Sequence, residues 1–203
     1  MLSDLATPNL LYVVVSIVIA LSIHEAMHAF AAHWLGDTTA QDMGRLSLNP
    51  LRHIDPLTTV ALPIITLILF HVPILAAKPV PFNPDRVKFD EFGSALVAAA
   101  GPFTNLVLAI ISALFLHVVT NVPLGNFLIT FTELNVVIFI FNLIPIPPLD
   151  GSRVLYAFAP EPVQDVMRQI EPYGLFVVFG LVLTGILIPL LTSLDNTILR
   201  LIP

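Results

Sequence analysis

The sequence contains no cysteine and little charge: 11% of its 203 residues are Asp, Glu, Lys or Arg, against 57% hydrophobic. Without cysteine there is no disulfide, no thiolate zinc site and no cysteine nucleophile. A soluble domain carries about 25% charged residues, so more than half the charge of a watery surface is missing. Basic charge is scarcer still. With 8 Lys and Arg against 14 Asp and Glu the net charge is -6, which leaves no basic face for nucleic acid. Gly-rich phosphate loops, internal repeats and Gly/Ser linkers are also absent. The leading segment has no Lys or Arg and carries Asp4, so the first apolar run does not read as a cleavable signal peptide.

What the chain has instead is long uncharged runs, at 5–23, 56–77, 94–120, 134–149 and 172–194. About 20 apolar residues carry a helix across the hydrocarbon core. The runs therefore predict an all-α integral membrane protein, a polytopic bundle of four to five spanning helices in contact with lipid. The intervening loops are too short for a second domain, so residues 1–203 read as one transmembrane domain.

Positive residues favour the cytoplasm. Arg45 and Arg52 lie in the first polar interlude, Lys78, Arg86 and Lys88 in the second, and Arg153 and Arg168 in the last. If 56–77 enters the membrane and returns, all three interludes are cytoplasmic, and the sequence reads as four spanning helices plus that segment. Pro63 and Pro73 break helical pairing inside it, which suits an embedded segment buried by protein. An ordinary fifth helix is the alternative.

The first run contains His24-Glu25-Ala26-Met27-His28. Residues i and i+4 share one face of a helix, so both imidazoles reach one metal, while Glu25 lies about 100° round, beside a water on that metal. Glu at membrane depth costs at least ~2.5 kcal/mol on insertion scales unless it has a partner or a wet pocket. A catalytic zinc wants three protein ligands and an open position. Glu91 and Glu133 are candidates for the third, but neither has a distinctive setting, and His33 lacks the metzincin spacing. Asp150 does have one. It follows Pro145, Pro147 and Pro148, which cannot continue a helix, and precedes Gly151, so an unwound stretch turns Asp150 inward as the expected third ligand. In Ala100-Gly101-Pro102-Phe103-Thr104-Asn105, small residues admit a close helix and Asn105 points into the bundle, where its amide packs helices together or serves the active site.

HEAMH on the first helix, AGPFTN on a middle one and NLIPIPPLDG at the end of the next resemble the site-2 protease family of intramembrane zinc metalloproteases, in its small branch without PDZ or CBS domains. The resemblance implies one Zn2+ held by His24, His28 and Asp150, with Glu25 as general base. It implies hydrolysis of peptide bonds within or near transmembrane segments of a substrate protein, and the charge-based topology puts that site toward the cytoplasmic side of the cell membrane. It assigns Asn142 to the substrate backbone and makes 45–48 and 77–82 a small membrane-associated β region; an active-site role for Asn105 would likewise be in substrate binding. In Lys78-Pro79-Val80-Pro81-Phe82 the prolines remove donors from one strand edge only, so Lys78, Val80 and Phe82 keep the other edge, either for an unwound substrate or for internal pairing with 45–48. Three rivals use the same residues, one of them an inactive, purely binding homologue, which the intact His24, His28 and Asp150 set disfavours. A metal-ion transporter would make the His/Asp cluster a transit site, and a prenyl-protein type protease would take a Glu as third ligand.

Overall fold

The computed structural model describes residues 8–53 and 80–202. The chain forms α1 (Pro8–Trp34), α2 (Thr39–Asp42), α3 (Asp90–Leu116), α4 (Val122–Asn142), α5 (Asp150–Phe158), α6 (Glu161–Ile170), α7 (Gly174–Leu183) and α8 (Leu187–Leu201). Among the described residues, four stretches are long and apolar enough to cross a membrane: Leu10–Trp34, Asp90–Leu116, Val122–Asn142, and Glu161–Leu183, which joins α6 to α7.

Charge-free runs mark these helices imperfectly. α1 continues past its run to Trp34, because the charged and imidazole side chains beyond Ile23 turn into the bundle rather than ending the helix. α4 begins at Val122, well before the run at 134–149. Asn121 caps it by accepting from the Leu124 N–H, and Pro123 sits in the first turn, where its missing donor costs nothing. Glu133, which broke the run, lies exposed in the middle of this helix. The last run is divided by Gly185 at φ 70, a left-handed position that separates α7 from α8.

The expected β region is corrected by the structure. The described residues contain no strand, and 45–48 is an irregular turn built around two buried side chains. Arg45 Nη1 donates to the Arg52 carbonyl at 3.0 Å, and His53 Nε2 lies 2.7 Å from the Ser47 carbonyl. The Ser47 carbonyl, which a strand partner would have taken, is thus claimed by a side chain. The reading of 56–77 as a re-entrant segment falls outside the described residues, as do Lys78 and Pro79.

α1, α3 and α4 pack together as the core of the bundle. The described residues on either side of 54–79 meet at one end of it. The Lys88 N–H donates to the Leu35 carbonyl at 2.9 Å, and the Asn83 N–H to Asp37 Oδ2 at 2.6 Å. Single cysteines at Ser47, Asn83 and Gln164 should therefore react with an impermeant thiol reagent from one face, and a cysteine at Asn121 from the other. Labelling of Ser47 and Asn83 from opposite faces would contradict that shared end.

Candidate metal centre

α1 carries His24 and His28 one turn apart, both buried. Asp150 comes from the opposite part of the chain. Pro145, Pro147 and Pro148 keep residues 143–149 out of α4 and let the chain reverse, so Asp150 becomes the first residue of α5. Gly151 makes the reversal fit, because a Cβ there would lie 2.2 Å from the Leu143 carbonyl oxygen. Its role is close approach, not a special backbone angle.

The three side chains converge. His24 Nε2 lies 3.0 Å from His28 Nε2, and Asp150 Oδ2 lies 3.2 Å from the first and 3.3 Å from the second. A tetrahedral zinc with bonds of about 2.1 Å spaces its ligands about 3.4 Å apart, so this triangle is close to one face of such a site. The far sides of both rings support that fit. His24 Nδ1 lies 2.6 Å from Asn105 Oδ1, and His28 Nδ1 lies 2.8 Å from the Val97 carbonyl. Each oxygen accepts the Nδ1 proton, which leaves the Nε2 lone pair pointing into the triangle. Two imidazole lone pairs and a carboxylate oxygen at such distances call for a cation. α3 approaches closely enough to wall the site, since a Cβ on Gly101 would fall 2.3 Å from His28 Nε2 and 2.8 Å from His24 Cε1.

Glu25 stays off the triangle. One of its oxygens, Oε2, accepts the Val80 N–H at 2.9 Å. Segment 80–83 is held at its other end by Asp37, whose Oδ1 also accepts from the Thr39 N–H and hydroxyl. Burial opposes ionisation of Asp37, but those hydrogen bonds and the Arg86 charge outweigh it, so its carboxyl sits below the ordinary carboxylate range. The stability it contributes is present above the unfolded pKa and is lost as pH falls through the folded one.

Asn105 is fully buried, with its Oδ1 2.6 Å from His24 Nδ1 and its Nδ2 donating to Asn135 Oδ1. Val80, whose N–H the strand reading kept for substrate, gives it to Glu25 instead. The Phe82 ring packs beside Ala32, Val87 and Val97 with the Arg153 guanidinium 5.3 Å from its centroid, an internal contact. Asn142 ends α4, half-buried, and its Nδ2 donates back to the Ile138 carbonyl. Glu91 and Glu133 are exposed and stand outside the triangle, and His33 lies in the last turn of α1. Asp37 and Asn135 were missed, because the contact that ties each to the site, Asp37 to the Asn83 N–H and Asn135 to Asn105, is distant in sequence. Asp37 follows Gly36 at the end of a helix, which was the one local signal.

Among the described residues, His24, His28 and Asp150 form the one group of three or more such side chains that could hold a metal. Together with the spanning helices, that defines the class as a multi-pass membrane protein with a His/His/Asp metal centre. The chain is 34% identical over 204 residues, covering 94% of itself and 90% of the relative, to "Putative zinc metalloprotease YwhC" of Bacillus subtilis. It is 29% identical over 173 residues to Rip2 of Mycolicibacterium smegmatis, which bears the same zinc metalloprotease designation, covering 81% of this chain and 64% of that one. Rip2 of Mycobacterium tuberculosis is 29% identical over 170 residues, covering 81% of this chain and 63% of its own. No protein-family model matches, and no solved structure matches. The chain belongs to the site-2 protease family of zinc metalloproteases, and its cofactor is zinc.

Proposed function

We propose that this protein hydrolyses peptide bonds within or near the transmembrane segments of other membrane proteins, with zinc on His24, His28 and Asp150 and with Glu25 as the general base. The observation that carries the reading is the triangle of donors with a carboxylate beside it on the same spanning helix. Held by His24, His28 and Asp150, a zinc would supply Lewis-acid polarisation of the scissile carbonyl and a water whose pKa is lowered toward 7. Glu25, oriented by the Val80 N–H, accepts the water's proton and returns it to the leaving amine. A helix hides its carbonyls in its own hydrogen bonds, so the substrate unwinds at the cut. Asn142, at the end of α4 beside the 143–149 stretch, holds the opened backbone in this reading.

Water must reach this centre although lipid offers none. A cavity of about 540 Å³ opens beside the Asp150 turn, lined among others by Glu91, Ser94, Pro147, Ser152 and Arg153. Its charged rim suits a hydrated route from the cytoplasmic side, where the basic interludes lie. A transporter would need no base beside its ligands, and the relatives carry metalloprotease names. The test is incubation of the purified protein with a panel of single-span substrates. Cleavage inside or next to the span, abolished by chelator and restored by zinc, is expected. Chelator-sensitive cleavage of soluble unfolded chains with every single-span substrate left intact would refute the intramembrane reading.

A further inference from the structure

His24 is held by a side chain that is itself held. Asn105 Oδ1 faces His24 Nδ1 at 2.6 Å, and Asn105 Nδ2 donates to Asn135 Oδ1 at 2.8 Å and reaches the Ala20 carbonyl at 3.4 Å. Asn135 Nδ2 donates to the Phe131 carbonyl at 2.7 Å. Both asparagines are 0% exposed. A backbone carbonyl can only accept. The Phe131 oxygen therefore obliges Asn135 to turn its NH2 that way and its Oδ1 toward Asn105. That Oδ1 and the Ala20 carbonyl oblige Asn105 in turn to point its NH2 at them, which leaves only its oxygen for His24. An oxygen there requires the imidazole proton on Nδ1, and the lone pair on Nε2, the atom in the metal triangle.

We propose that Asn135 and Asn105 form a directional amide relay, anchored on the Phe131 carbonyl, that fixes His24 in its zinc-binding tautomer before the metal arrives. Asn135 touches no ligand and is a positioning residue. The relay runs across α4, α3 and α1, so the metal site is preset by the packing of the three helices. His28 is set without it, directly by the Val97 carbonyl, and serves as an internal control. The inference rests on the zinc reading above.

The test uses full-length protein in detergent, selectively 15N-labelled at histidine, with zinc affinity measured against a chromophoric chelator. In Asn135→Leu, Asn105 loses its main acceptor and can turn over, offering NH2 to His24. The expected result is zinc affinity lower by about 10- to 100-fold, with mixed tautomer signals for His24 and an unchanged His28. Unchanged affinity and tautomer in a variant that melts as wild type does would overturn the relay. Should that variant fail to fold, zinc-free wild type at a pH where the imidazoles are neutral decides. His24 should carry its proton on Nδ1, and a proton on Nε2 would overturn the relay. Failure of wild type to bind zinc would sink the metal reading instead, while the zinc-free tautomer still reports on the relay alone.

Discussion

Glu25→Gln should retain one zinc per chain and lose about 10²- to 10⁴-fold in kcat, the range that general acid–base catalysis contributes. The amide keeps the shape of the carboxylate, and its oxygen still accepts the Val80 N–H, so segment 80–83 stays in place. What disappears is the ability to take a proton. Because Glu25 lies outside the ligand triangle, metal content and activity should separate in this variant. In His24→Ala, His28→Ala and Asp150→Ala they should fall together. Normal turnover in Glu25→Gln would remove Glu25 as the base, and loss of zinc would make it a ligand.

Gly101→Ala should be as damaging as removal of a ligand, although it adds one methyl group and takes nothing away. The new Cβ would lie 2.3 Å from His28 Nε2 and 2.6 Å from His28 Cε1, closer than atoms pack, and 2.8 Å from His24 Cε1. Neither ring can retreat without giving up its Nδ1 bond to Val97 or Asn105. Either α3 backs away, loosening its packing against α1, or the imidazoles leave the triangle. Overpacking of this kind costs about 1–3 kcal/mol, and zinc affinity should fall by at least about 100-fold, beyond the loss of an outer hydrogen bond. Gly125→Ala is the control, since nothing lies within 4 Å of a Cβ there. Near-normal zinc binding and cleavage in Gly101→Ala would show that α3 does not wall the centre as closely as drawn.

The metal centre was legible because its signals are local. The i, i+4 histidines need only a helix to share a face, and the prolines before Asp150 state in the sequence that the backbone must unwind there. The partners of those residues were not legible. Glu25 meets Val80 across 55 positions and His24 meets Asn105 across 81, and no pattern along the chain specifies such pairs. The expected β region failed for a related reason. An alternation of prolines shows which backbone donors survive, but not what they bond. Glu25 within α1 and Asp37 just beyond its end claim the Val80 and Asn83 amides, so no strand partner is needed. Glu133 misled in the opposite direction, since one charge inside α4 was enough to hide where that helix begins.

The most direct measurement of the central claim is the metal content of purified protein together with zinc-edge X-ray absorption. One zinc per chain is expected, with imidazole nitrogen and oxygen donors at about 2.0–2.2 Å, falling to background in Asp150→Ala and in His24→Ala. A folded, proteolytically active protein without zinc, or zinc retained in full when either ligand is removed, would contradict the account.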